Sequence, residues 1–281
     1  MRPANVFTAG ADSTAGFLIA GGDLGAQGGV MVRLILASMA LYAGGVALND
    51  VADARGDAIH RGQRPIPAGA LSRVTAALIG VALLAGGFGA ALSVGMRSGV
   101  IAGVCIVAIL LYDFLLRRTA LAPIIMGSCR AANLTLGISA VGGVASGCVW
   151  PVVILWAYVS SLTLFARRET GFVSRDPLIV GSVGLVGATA ATIFLIPWSP
   201  AYRLGWLAVV GMAVAWVARL AFRTIHAARP ESVQVAVTWF VLGVVGLDAL
   251  MAGIARGPFA GLVVLAFLIP GMLLARRFSV A

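Results

Sequence analysis

The sequence predicts an all-α, polytopic transmembrane bundle of nine or ten helices. Composition is the first ground. Of 281 residues, 60% are hydrophobic and only 11% charged, less than half the roughly 25% usual in a globular chain, and mean hydropathy is +1.03. The second is arrangement: most of the chain lies in long apolar runs parted by short polar breaks. A run of about 20 apolar residues can satisfy its own backbone in lipid as a helix, and a single soluble domain would not need so many. The third is the lack of period-two alternation in units of about 10 residues, the mark of an outer-membrane barrel.

The spans fall at 4–21, 30–49, 72–95, 98–116, 121–145, 149–166, 178–197, 203–222, 234–254 and 258–275. The opening "MRPANVFTAGADSTAGFLIAGG" has one arginine and then a weakly apolar run, which suits a first membrane helix better than a removed leader. Asp12 interrupts that run. The second span ends in "LNDVADARGD", the fourth in "LLYDFLLRR", and the fifth contains Arg130 and Asn133. After the sixth comes "ARRETGFVSRD"; its Asp176 either lies in the loop or caps the next span. Only "ARGP" parts the last two spans, so nine and ten are both compatible with the pattern.

Arginine placement orients the chain. With the N-terminus inside, fifteen arginines between Arg2 and Arg277 fall on one side, whereas Arg33, Arg97, Arg203 and Arg256 fall on the other. Excess positive charge in short loops marks the cytoplasmic side, and Arg276 and Arg277 then favour an even span count. Asp50, Asp53, Asp57, Asp113, Glu169, Asp176 and Glu231 follow the arginines. The net charge of +10 does not indicate nucleic acid as a partner: there is no lysine, and the arginines sit at segment ends. Cys105, Cys129 and Cys148 are isolated, with no C-x-x-C, and read as packing residues. His60 and His226 have no Ser or Cys elbow for a hydrolase triad. The 36 glycines form no Walker-type loop and suit close helix packing.

If the second helix continues through residue 57, Asp50, Asp53 and Asp57 stand at i, i+3 and i+7, and Asn49 pairs with Asp53 at i, i+4. They then share one face. Like charges so placed are tolerable when a cation bridges them, and oxygen-only donors favour a hard ion such as Mg²⁺. Arg61 and Arg64 follow in "AIHRGQRPIPAGALS", and guanidinium groups grip phosphate through a bidentate fork. Metal ligands and phosphate ligands at a lipid boundary suit an isoprenoid diphosphate.

"NDVADARGD" followed by "RPIPAG" resembles the first aspartate-rich motif of the UbiA superfamily of intramembrane prenyltransferases, N-D-x-x-D-x-x-x-D then R-P-[IL]-x-x-G; "RPAN" resembles that family's opening R-P-x-[NW]. The resemblance implies one such domain over 1–281, a central cavity open to the membrane, Mg²⁺, a polyprenyl diphosphate donor and a small, often aromatic acceptor. On that reading Asn49, Asp50, Asp53 and Asp57 hold metal, with Glu169 opposite them. Asp50, Asp53 and Arg130 serve catalysis, and Arg61, Arg64, Tyr112, Asn133 and Arg168 bind the diphosphate or its acceptor. The family's second acidic motif, D-x-x-x-D, is thin here: Glu169 stands beside Arg167 and Arg168, with Asp176 seven residues on. Where the family often has Y-x-x-x-K, Tyr112 is present and position 116 is Leu; Arg117 or Arg118 either supplies the charge or anchors the cytoplasmic end of the span. Arg130 and Asn133, a turn apart within lipid, face the cavity or form a structural pair with Asp12 or Asp248; Asn5 and Asp12 could share the cavity face of the first span. The forms "RPAN", "SCRAANLTLGIS" and "LTLFARRE" resemble a UbiA-like branch of bacterial secondary-metabolite clusters of the ebo type, which places the chain in a bacterial cytoplasmic membrane with its N-terminus and active-site loops inside. The alternative is a UbiA-fold protein that binds or moves a lipid or secondary-metabolite precursor without transferring it. A conventional transporter fits less well, because the charges gather at one face and not at the midplane.

Overall fold

A computed structural model describes residues 5–141, 146–168, 175–197, 200–227 and 229–278. Its elements are α1 (Val6–Ile19), α2 (Leu24–His60), α3 (Arg73–Leu92), α4 (Met96–Leu110) continuing as a π-helical turn (Leu111–Leu116), α5 (Ala122–Ile138), α6 (Val149–Phe165), α7 (Arg175–Ala191), α8 (Pro200–Ala227), α9 (Pro230–Arg256), α10 (Pro258–Leu265) and α11 (Leu268–Phe278). There are no strands among the described residues. Every expected span has its helix, with α10 and α11 sharing the last. Asp176 lies inside the first turn of α7, where its charge favours the helix dipole, and not in the loop before it.

Among the described residues, six segments are long and apolar enough to cross a membrane: α2, α3, α4 with its π turn, α7 with the short turn after it, α8 and α9. Their outer faces carry large apolar side chains, such as Leu78, Val81, Val183 and Leu204, all exposed. A surface of that kind is stable against hydrocarbon and costly against water.

The bundle is assembled on α1. It packs against α2, α5, α9, α10 and α11, and Thr8 through Leu18 are buried without a break. Small residues make this possible. Gly16 faces the Leu134 carbonyl of α5, and Gly137 of α5 faces the backbone of Ser13 and Phe17. A Cβ at either would strike backbone, which cannot swing aside as a side chain can.

Helix α2 supplies the reach. Its 37 residues bend at Gln27, whose backbone is non-helical (φ −120°, ψ 19°), and the unbroken part from residue 28 onward spans about 50 Å at ~1.5 Å per residue, against a hydrocarbon core of about 30 Å. The surplus carries the acidic string out to the boundary. Asp23 caps the other end by accepting from the backbone N–H groups of Gly25 and Ala26, and the bonds from Ala26 and Gly25 hold its carboxyl below the usual carboxylate range.

Gly137→Ala should therefore push α1 from α5. Overpacking of this kind costs about 1–3 kcal/mol, to be read as a lower thermal midpoint in detergent; Gly28→Ala, with open space around it, should leave the midpoint unchanged.

Candidate active site

On a helical wheel, Asn49, Asp53, Asp57 and Asp50 occupy, in that order, an arc of about 100°. The acidic string is therefore one face with two edges, and each edge meets different neighbours. On one edge the Asn49 amide donates to Asp113 Oδ1 at 2.9 Å, and Arg117 Nη1 lies 2.5 Å from Asp53 Oδ2. Asp113 and Arg117 belong to the π turn and the residue that follows it. On the other edge Arg64 Nη1 lies 2.5 Å from Asp57 Oδ2 and 3.7 Å from Asp50 Oδ1. Asp57 is buried there, against the "RPIP" loop and α3.

The two edges border two hollows. One, of about 270 Å³, lies between α2, α3 and residues 64–71, with Asp50, Asp57 and Arg64 at its charged end. The other, about 300 Å³, lies inside the bundle. Asn49, Tyr112, Asp113, Arg130, Asn133 and Asn5 give it polar walls, while Leu41, Val46, Ile109 and Met126 give it apolar ones.

Arg130 forms the deep end of the inner cavity. Its Nη1 donates to Asp12 Oδ2 at 2.7 Å and its Nη2 to Thr8 Oγ1 at 2.5 Å. Its guanidinium sits 5.6 Å from the centre of the Tyr42 ring, within cation–π range. Asn133 Nδ2 donates to the same Asp12 oxygen at 3.0 Å and to the Ala9 carbonyl at 2.8 Å. The Ser38 hydroxyl stands 2.6 Å from both the Ala9 carbonyl and Asn133 Oδ1, and donates to one at a time. Asp248 of α9 is also fully buried and lies near Asp12. The two readings of Arg130 thus coincide: it lines the cavity and is paired with Asp12.

Of the residues singled out in the sequence, Asn49, Tyr112, Arg130 and Asn133 meet at the inner cavity, and Asp50, Asp57 and Arg64 at the outer hollow. Asp53 bridges to Arg117, while Arg118 approaches the backbone at Gly56. Arg61 is exposed at the C-cap of α2. Glu169 and the side chain of Arg168 lie outside the described residues, and Arg167 donates to the Thr119 carbonyl. Among the described residues no three His, Cys, Asp or Glu side chains gather closely enough to hold a metal by themselves. The oxygen-only donors of Asn49, Asp50 and Asp53 do suit a hard cation, and Asp50 and Asp53 keep about 30% exposure toward one. Cys105 and Cys129 are free thiols on the cavity wall.

Asp113 and Thr8 emerge from the structure as site neighbours. Asp113 had a signal, as a carboxylate beside Tyr112 at the end of an apolar run; Thr8 had none.

The profile of the UbiA prenyltransferase family matches residues 13–232. This chain belongs to that family. As a UbiA-family member with six long apolar helices, it is an integral membrane protein. A digeranylgeranylglyceryl phosphate synthase from Methanopyrus kandleri is 34% identical over 69% of this chain and 72% of its own length. A protoheme IX farnesyltransferase from Nitratidesulfovibrio vulgaris is 32% identical over 50% of this chain and 52% of its own. Among solved structures, the apo form of a UbiA homologue from Aeropyrum pernix superposes with a TM-score of 0.67 at 16% identity, over 94% of this chain and 98% of that one. A UbiA homologue from Archaeoglobus fulgidus bound to GPP and Mg²⁺ gives 0.61 at 13% identity, over 94% and 97%.

In this UbiA-family chain, removing one member of the buried pair should cost more than removing both. Arg130→Met strands Asp12, a loss of about 3–5 kcal/mol for a broken buried pair. The double variant Arg130→Met with Asp12→Leu should recover part of that in thermal midpoint.

Proposed function

We propose that this chain is a Mg²⁺-dependent membrane prenyltransferase that moves an isoprenyl group from a polyprenyl diphosphate to a small acceptor. The observation that carries the reading is the arginine-flanked acidic arc of α2, set beside a cavity with one polar and one apolar wall. Asn49, Asp50 and Asp53, with Asp57, are the residues that would hold the cation. When bound, Mg²⁺ supplies charge neutralisation on a departing diphosphate.

The chain's own side chains serve that chemistry in three ways. Arg64 and Arg117, each resting on a carboxylate, stand where phosphate oxygens would take their place, with Arg61 beside them at the loop. Arg130 keeps positive charge in the low-dielectric floor without leaving it uncompensated, so it orients polar groups at little reorganisation cost. Leu41, Val46, Ile109 and Met126 keep water from an allylic cation formed at that wall. Glu169 and Arg168 are assigned to the opposite side of the diphosphate.

The acceptor is assigned only as small and polar enough for the Asn5–Arg130–Asn133 end of the cavity, and an aromatic ring is one form that fits. The named relatives support this breadth, since one name specifies a glyceryl phosphate product and the other a haem. The donor chain is an isoprenoid of the kind seen with the Archaeoglobus homologue. The acidic end of α2 is assigned to the cytoplasmic face, following the arginine distribution.

A second reading, a UbiA-fold carrier that binds a prenylated or related precursor without transfer, draws support from the same ion pairs. Asp53 and Asp57 are already matched by Arg117 and Arg64, so two of the string's three carboxylates are paired with no cation. Incubation of purified protein with Mg²⁺, labelled prenyl diphosphates of several lengths and acceptor extracts distinguishes the two. Transfer predicts diphosphate release that stops with EDTA and falls on the order of 100-fold or more in Asp50→Ala and Asp53→Ala. Retained binding with no release from the unaltered protein under any acceptor would favour the carrier.

A further inference from the structure

We propose that Asp113 is a positioning residue for the α2 site: it fixes the orientation of the Asn49 amide. The inference rests on the reading of Asn49 as a cation ligand. It adds a carboxylate from a different helix, outside the acidic string.

The geometry is specific. Asp113 is buried, lines the inner cavity and accepts from Asn49 Nδ2 at 2.9 Å. A carboxylate without a proton only accepts, so the NH₂ end of the amide must face it. The two ends of a primary amide diverge from Cγ, and Oδ1 is therefore turned away from α4. In that orientation Asn49 offers an oxygen lone pair to a cation. In the flipped orientation it would offer two N–H groups, which repel one.

The backbone that brings Asp113 there is itself unusual. Arg117 N–H bonds to the Tyr112 carbonyl at 3.0 Å, closing an i→i−5 turn inside a membrane helix. Turns of this kind occur often at functional sites. Tyr112 and Asp113, neighbours in sequence, both line the cavity, while Arg117 engages Asp53 from the end of the same turn. One π turn thus meets the Asn49–Asp53 edge of α2 at two points four residues apart. Holding the amide from the outer shell is a task whose removal typically lowers metal affinity about 10–100-fold.

The test uses Mn²⁺ as the probe ion, titrated into the full-length protein with geranyl thiolodiphosphate, an unreactive diphosphate analogue, and followed by the EPR signal of free Mn²⁺. Asp113→Leu should raise half-saturation about tenfold or more. Asp113→Asn, whose own amide oxygen can still accept from Asn49, should stay within about threefold, because only the charge assistance is lost. In Asn49→Ala the further change Asp113→Leu should add nothing, since the two act as one unit. If Asp113→Leu does not accumulate, Asp113→Ala gives the same comparison. Unchanged Mn²⁺ binding in the Leu or Ala variant overturns the inference. So does an Asn variant as weak as Leu, which would assign the effect to charge and not to amide orientation, and so does additivity with Asn49→Ala. No Mn²⁺ binding by the unaltered protein overturns the proposed function along with it.

Discussion

A single buried ion pair holds the centre of this molecule. Arg130 on α5 and Asp12 on α1 pair deep in the bundle, Asp12 fully enclosed and Arg130 bordering the inner cavity, and the side chains around them help make that pair tolerable. Thr8 accepts from Arg130, Asn133 donates to Asp12 and to the Ala9 carbonyl, Ser38 stands beside Asn133 and that carbonyl, and Tyr42 covers one side of the guanidinium. Hydrogen-bonded side chains in lipid give helices a fixed register that apolar packing alone leaves loose. The glycine contacts between α1 and α5 do the complementary steric task by letting the backbones approach closely enough for the pair to form.

The same principle governs the membrane-boundary end at larger scale. Four oxygen-bearing side chains of α2 lie within one arc, and basic groups from two directions bracket them: Arg64 from the loop beyond α2, Arg117 from the end of α4. Burying part of that charge costs solvation free energy, and pairing offsets much of it. Because Asp50 and Asp53 remain partly exposed, the pairs are exchangeable and not locked. A cluster of exchangeable ion pairs can take up a cation and an anion together, which suits a site for a metal-bound diphosphate.

Much of this was legible in the sequence because the relevant signals were one-dimensional. Runs of apolar residues marked where the helices lie, and the acidic string with its following "RPIPAG" marked the candidate site, since both follow helix period and composition. Arg130 and Asn133 stood out for the same reason: polar groups inside an apolar run must be satisfied somewhere. What could not be read was who satisfies them. That Arg130 takes Asp12 and not Asp248 as its direct partner depends on how closely α1 approaches α5. The split of the acidic string into two edges depends on where α3 and α4 stand relative to α2. Asp113 looked like one more boundary carboxylate because the turn that aims it inward leaves no mark in hydropathy.

The π turn at Leu111–Leu116 also bears on the second of the two motifs in which the chain departs from the pattern it resembles. An α-helix brings residues four apart back to the same face, which is how Y-x-x-x-K aligns its two polar groups. A turn closed five residues later delays that return by one position. Tyr112 and Arg117 are five apart, and the wider turn restores the neighbourhood that a regular helix would have given to position 116. Arg117, which closes that turn onto the Tyr112 carbonyl, is the residue that pairs with Asp53. Comparing such chains by spacing alone would score Leu116 as a lost residue, whereas comparing them by helical face would find the charge still in place.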